Sequence, residues 1–89
     1  MVMTPYLRLA GETGVTAFHI RAEAIEVRFV DGYIYTYSYA VPGRVHVEAM
    51  KLLAREGRGL STYISRNVRE KYAARRQAGR VTRKQQPPP

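Results

Sequence analysis

Residues 33–39 read Tyr-Ile-Tyr-Thr-Tyr-Ser-Tyr, with a tyrosine at every second position. Successive side chains on a strand point to opposite faces, so an extended segment here stands its tyrosines in one row. That row holds four of the chain's seven tyrosines. Strict alternation of aromatic with β-branched or small residues predicts a strand. The rest of the fold depends on what the row faces: a packed core makes it architecture, and solvent makes it a stacking platform.

The preceding segment supplies a partner. Ile25, Val27 and Phe29 alternate with Glu26 and Arg28, which predicts a strand over residues 25–30. Asp31-Gly32 then separates two alternating runs, the pattern of a two-residue hairpin loop. That loop would pair Arg28 with Tyr35 and Glu26 with Tyr37, and opposed residues share a face. Ile25, Val27, Phe29, Ile34 and Thr36 would then face the core. Glu26, Arg28, Tyr33, Tyr35 and Tyr37 would share the other face. A bulge or a three-residue loop would exchange the faces of one strand.

Before the hairpin, residues 1–5 are expected to fray, and Tyr6-Leu7-Arg8-Leu9 to form a short strand or an extended arm. Gly11-Glu12-Thr13-Gly14 reads as a turn. Val15 to Ile20 reads as a strand with Thr16, Phe18 and Ile20 inward. After it, Pro42-Gly43 ends the sheet. A helix is predicted over about residues 44–55, with Val45, Ala49, Met50 and Leu53 on its apolar side and no good N-terminal signal. Gly57-Arg58-Gly59 closes it. A second helix is predicted from Leu60 or Ser61, with Ser61 as N-cap, to about Gly79. Leu60, Ile64, Val68 and Tyr72 form its stripe, and Arg66, Arg69, Arg76 and Arg80 gather on the opposite side. The expected fold is α+β: a three-stranded antiparallel β-meander followed by two α-helices packed on one face. Residues 1–76 would form a single domain, and residues 77–89 a basic, disordered tail ending in three prolines.

Charge narrows the function. All of the net +8 lies in residues 55–89, which hold ten basic and two acidic residues. Such asymmetry points to a polyanion partner, although a solvated basic tail has the same composition. Cysteine is absent, which removes thiolate ligands and nucleophiles. No apolar run approaches a membrane span, so a cytoplasmic location is expected.

Enzymatic chemistry finds little support. His46 and Glu48 stand at i, i+2, which points them to different sides of a helix. His19 lies on the outer side of its strand, and a metal site with His46 would need a third ligand. Ser61 has no neighbouring histidine in sequence and no nucleophile elbow. No cofactor and no metal are expected.

Binding fits better. Arg66, Arg69, Arg75 and Arg76 could track phosphates, with the tail continuing the run. Arg28, Tyr33, Tyr35 and Tyr37 could stack unpaired bases. The alternative is a protein-interaction or adaptor module that uses the same basic surface for an acidic partner. An uncovered sheet face or edge could also form a homodimer.

Residues 15–73 resemble the KTSC family, a short domain of bacterial proteins also found at the C-terminus of some lysyl-tRNA synthetases. The resemblance rests on Ile25-Glu26-Val27-Arg28-Phe29, Gly32, the Tyr-x-Tyr at Tyr35 and Tyr37, and Val41-Pro42. It continues in Tyr63-Ile64, Asn67-Val68-Arg69 and Tyr72. Ser65 stands where the family often has asparagine, and Pro42-Gly43 and the corner at residues 57–61 also depart from its pattern. The resemblance implies RNA binding through the association with the synthetase, and implies no catalytic residues.

Overall fold

The computed structural model describes residues 3–7 and 14–77. It has an α+β fold in which one antiparallel sheet packs against two helices. The strands are β1 (Thr4–Pro5), β2 (Val15–Arg21), β3 (Ala24–Phe29), β4 (Tyr33–Ser38) and β5 (Ala74–Gln77). They lie side by side in chain order. Between β4 and β5 come α1 (Arg44–Glu56) and α2 (Leu60–Tyr63), and α2 continues as a π-helical turn over Ile64–Val68. The sheet therefore has five strands where the sequence predicts three. Thr4 and Pro5, expected to fray, pair with Phe18 and Ala17. The expected turn over Gly11–Thr13 and the tail beyond Gln77 lie outside the described residues.

The β3–β4 register departs from expectation by one residue, and this reverses the tyrosine row. Val27 pairs with Tyr35 and Ile25 with Tyr37. The loop is three residues long, Val30 to Gly32. The Gly32 N–H donates to the Phe29 carbonyl at 2.9 Å, and Gly32 then takes φ +90°. A β-turn followed by a left-handed glycine is the three-residue hairpin, and Asp-Gly serves it as well as the two-residue one. The Asp31 Oδ1 accepts the Tyr33 N–H at 3.0 Å and holds the turn shut. Burial decides between the two loops. This register places the tyrosines with Ile25, Val27 and Phe29, and each large apolar side chain buried contributes about 1.5–3 kcal/mol. Tyr37 is 1% exposed, not on an open face.

A bulge in β2 works the same way. Val15 pairs with Phe29 while Ala17 pairs with Arg28, so Thr16 is the extra residue. Val15 thereby joins Phe18 on the front face and is fully buried. The core is this front face, including Val15, Phe18, Ile25, Val27 and Tyr37, against Val47, Met50 and Ala54 of α1 and Leu60, Ile64 and Val68 beyond.

The buried stripe of α1 is Val47, Met50, Lys51 and Ala54, at helical spacing. Val45, expected on the apolar side, is 80% exposed. Lys51 is buried by its stem, while its Nζ donates to the Ala22 carbonyl at 3.0 Å and pairs with Glu48 at 3.0 Å. The Tyr39 hydroxyl donates to the same Glu48 carboxylate at 2.6 Å. These bonds anchor α1 on the β2–β3 turn and on the end of β4. The helix closes at Gly57, φ +76°, whose N–H reaches the Leu53 and Ala54 carbonyls.

Ser61 does not cap α2. Gly59 holds that position, and the Leu60 N–H donates to the buried Tyr6 hydroxyl at 3.1 Å. The predicted run to Gly79 is also cut short. Leu60, Ile64 and Val68 are buried as expected, but the helix ends at Val68 and residues 74–77 form β5. Ala, Arg and Gln favour helix, yet the open edge of β4 offers unpaired backbone groups that override so weak a preference. The Ala73 N–H donates to the Thr36 carbonyl at 2.7 Å, and pairing then runs to Tyr33–Gln77.

Tyr37→Ala should lower stability by about 3–5 kcal/mol, the usual cost of an emptied aromatic site. Denaturant unfolding would measure it. A loss below about 0.5 kcal/mol, typical of a surface position, would contradict the register.

Candidate nucleic-acid interface

The three-residue loop places Phe29, Tyr35 and Tyr37 together at the floor of a front cleft of about 370 Å³. Its walls include the hairpin tip at Val30 and Asp31, and Ile64, Ser65 and Arg69 at the end of the helical segment. The aromatic rings hold one another. Tyr35 stacks on Tyr37 at 6.4 Å and 14°. Phe29 and Tyr72 meet Tyr35 edge-on at 5.2 and 4.9 Å. Such pairs contribute about 0.5–1.5 kcal/mol beyond their buried area and fix the orientation of Tyr35.

Arginine stands on both sides of Tyr35. Arg69 shares the cleft with it. Arg75 is its cross-strand neighbour, and its guanidinium lies 5.1 Å from the centre of the Tyr33 ring. The hydrogen bond with Tyr35, helped by the nearby Tyr72 and Tyr33, pushes the Arg75 guanidinium above its ordinary value.

The back face carries no helix among the described residues. It holds a hollow of about 750 Å³ lined by Met3, Pro5, Ala17, Ile34, Arg28 and Arg76 among others. Beside it Glu26 is 3% exposed and pairs with Arg21 at 2.9 Å and Arg76 at 3.6 Å. Its Oε1 has no hydrogen-bond partner among the described residues.

The eight sequence-predicted residues therefore do not form one surface. Tyr33, Tyr35, Arg69 and Arg75 come together on the front. Tyr37 is in the core beneath them. Arg28 and Arg76 lie on the back, because they pair with Ile34 from either side and share its face. Arg66 is exposed on the π-helical turn. The expected helical sector of Arg66, Arg69 and Arg76 is dispersed, since β5 replaces the second half of that helix; Arg80 lies outside the described residues. Sequence reasoning missed Phe29, Ser65 and the position of Tyr72. Phe29 was legible only through the alternative loop; the other two depend on where the helix stops.

The two histidines lie apart. His46 Nδ1 is 2.7 Å from the Tyr63 hydroxyl and ties α1 to α2. His19 is opposite Glu26 on the back face. Among the described residues, no group of three or more His, Asp or Glu side chains is placed to hold a metal. No helix among them is long and apolar enough to cross a membrane. No family model, curated protein or solved structure matches the chain.

Burial, reinforced by the Tyr35 and Tyr72 hydroxyls, pushes the Tyr37 phenol well above its ordinary 10.0. Its raised value stabilises the fold fully below pH 10.0, and that contribution is lost as pH rises further, because the unfolded chain releases the proton first. In an alkaline titration followed by phenolate absorbance, Tyr37 should ionise only together with unfolding. Tyr37→Phe should remove that late component; a loss of one phenol from the early component instead would show that Tyr37 ionises freely.

Proposed function

We propose that the protein is a small non-enzymatic module that binds RNA, using the front cleft and the basic residues around it. The observation that carries this reading is Tyr35, half-buried, held edge-on by Phe29 and Tyr72, and flanked by Arg69 and Arg75. An unpaired base stacking at such a site gains about 1–3 kcal/mol without regard to sequence. Guanidiniums beside it place phosphates, and each phosphate neutralised adds a salt-dependent term. With Tyr37 in the core, Tyr35 offers one ring to a base where an open tyrosine face would have offered a row.

Two further features support RNA. The charge excess of +8 lies wholly in residues 55–89, which include Arg69 and Arg75. The motifs that resemble the KTSC family include Tyr35, Tyr37, Arg69 and Tyr72, residues that line or adjoin the cleft.

Fluorescence anisotropy with labelled RNA should show affinity that falls as salt rises, with a slope of about −0.7 per phosphate contacted on a single strand. Arg69→Gln and Arg75→Gln should each weaken binding roughly tenfold, about 1.4 kcal/mol, and flatten that slope by about 0.7. Arg55→Gln, on the exposed side of α1, should leave both unchanged. Absence of binding at low salt would end the RNA reading and favour an acidic protein on the same surface.

A further inference from the structure

The arginines that left the front cleft form a second patch, and one edge joins it to the first. Arg75 and Arg76 are consecutive in β5, so their side chains leave the strand on opposite faces. Arg75 pairs with Tyr35 and faces the front cleft, while Arg76 pairs with Ile34 and lines the back hollow. All four residues of β5 are exposed, and β5 is the edge strand of the sheet among the described residues.

The back patch has cations to spare. Arg21 and Arg76 share one carboxylate, that of Glu26, at 2.9 Å and the longer 3.6 Å, and Arg28 stands on the same face of the sheet. The Arg28 guanidinium is exposed and makes no ion pair among the described residues, yet it lines the same hollow as Arg76. Ile34 and Ala17, both buried, give that hollow an apolar floor.

Resting on the RNA reading, we infer that the ligand is a single strand that crosses the β5 edge, with its phosphates on Arg69 and Arg75 in front and on Arg76 and Arg28 behind. A duplex does not suit this path. Double helices are stiff over a persistence length of about 150 base pairs, so a short duplex meets one face and leaves the other empty. A single strand bends freely about its backbone and can also splay out the base that the front cleft takes.

The experiment is anisotropy with a labelled RNA of about 12 nucleotides, within the span of known single-strand modules. The same sequence annealed to its complement serves as the duplex. The single strand should bind at least tenfold more tightly than the duplex. Arg28→Gln should weaken single-strand binding several-fold and flatten the salt slope by about 0.7. Arg28 is the better variant because Arg76→Gln also removes a partner of Glu26. An unchanged melting temperature for Arg28→Gln would assign its loss to binding. If RNA binds but Arg28→Gln changes neither affinity nor slope, the edge crossing is wrong and the front-cleft reading stands. Equal affinity for duplex and single strand would overturn it too. No RNA binding by the unaltered protein would remove both.

Discussion

The structure depends on one residue's worth of register in the β3–β4 hairpin. Gly32 at φ +90° closes a three-residue loop, so β3 ends one position earlier than a two-residue loop would have it, at Phe29 instead of Val30, while β4 still begins at Tyr33. Because strand side chains repeat every two residues, that shift decides the side of every group on β4. The tyrosines go to the core and Ile34 to the back. Arg75 and Arg76 on β5 inherit their sides from the same choice. A change of loop type would invert the chemistry of both faces and leave the strands in place.

Much of the architecture was legible, since it rests on local pattern. The alternation in residues 25–29 and 33–37 located β3 and β4, and the spacing of Leu60, Ile64 and Val68 located the buried side of the second helical segment. What was illegible depends on comparing distant terms. Asp31-Gly32 is compatible with two loops, and only the burial of the tyrosine row against α1 and α2 selects between them. Residues 74–77 have a helical composition, and only the open edge of β4 makes them a strand. Thr4 and Pro5 pair with β2 for the same reason. The eight candidate residues were chosen by chemical type. Their division between two faces follows from pairings outside their own neighbourhoods.

The tyrosine row was read as a surface, and most of it serves as structure. Tyr37 is spent on the core, and Tyr33 lies beneath the Arg75 guanidinium. Tyr35 stays half-buried, with Phe29 and Tyr72 at right angles to its ring and Tyr37 stacked alongside. An aromatic ring held by its neighbours loses little further freedom when a ligand stacks on it. In the RNA-binding mode proposed above, the packing that removes most of the row from solvent would also preorganise the part that remains.

The hydroxyl of Tyr6 on the Leu60 amide joins positions 54 residues apart, across almost the whole described chain. It closes the start of α2 with a group from the arm that follows β1. While the chain is being made, the first residues emerge long before the amide they will receive. Burying this hydroxyl with the Leu60 N–H requires that long loop to close before the core is sealed. Topology of this kind slows folding, because the entropy of closing a long loop must be met before the contact rewards it.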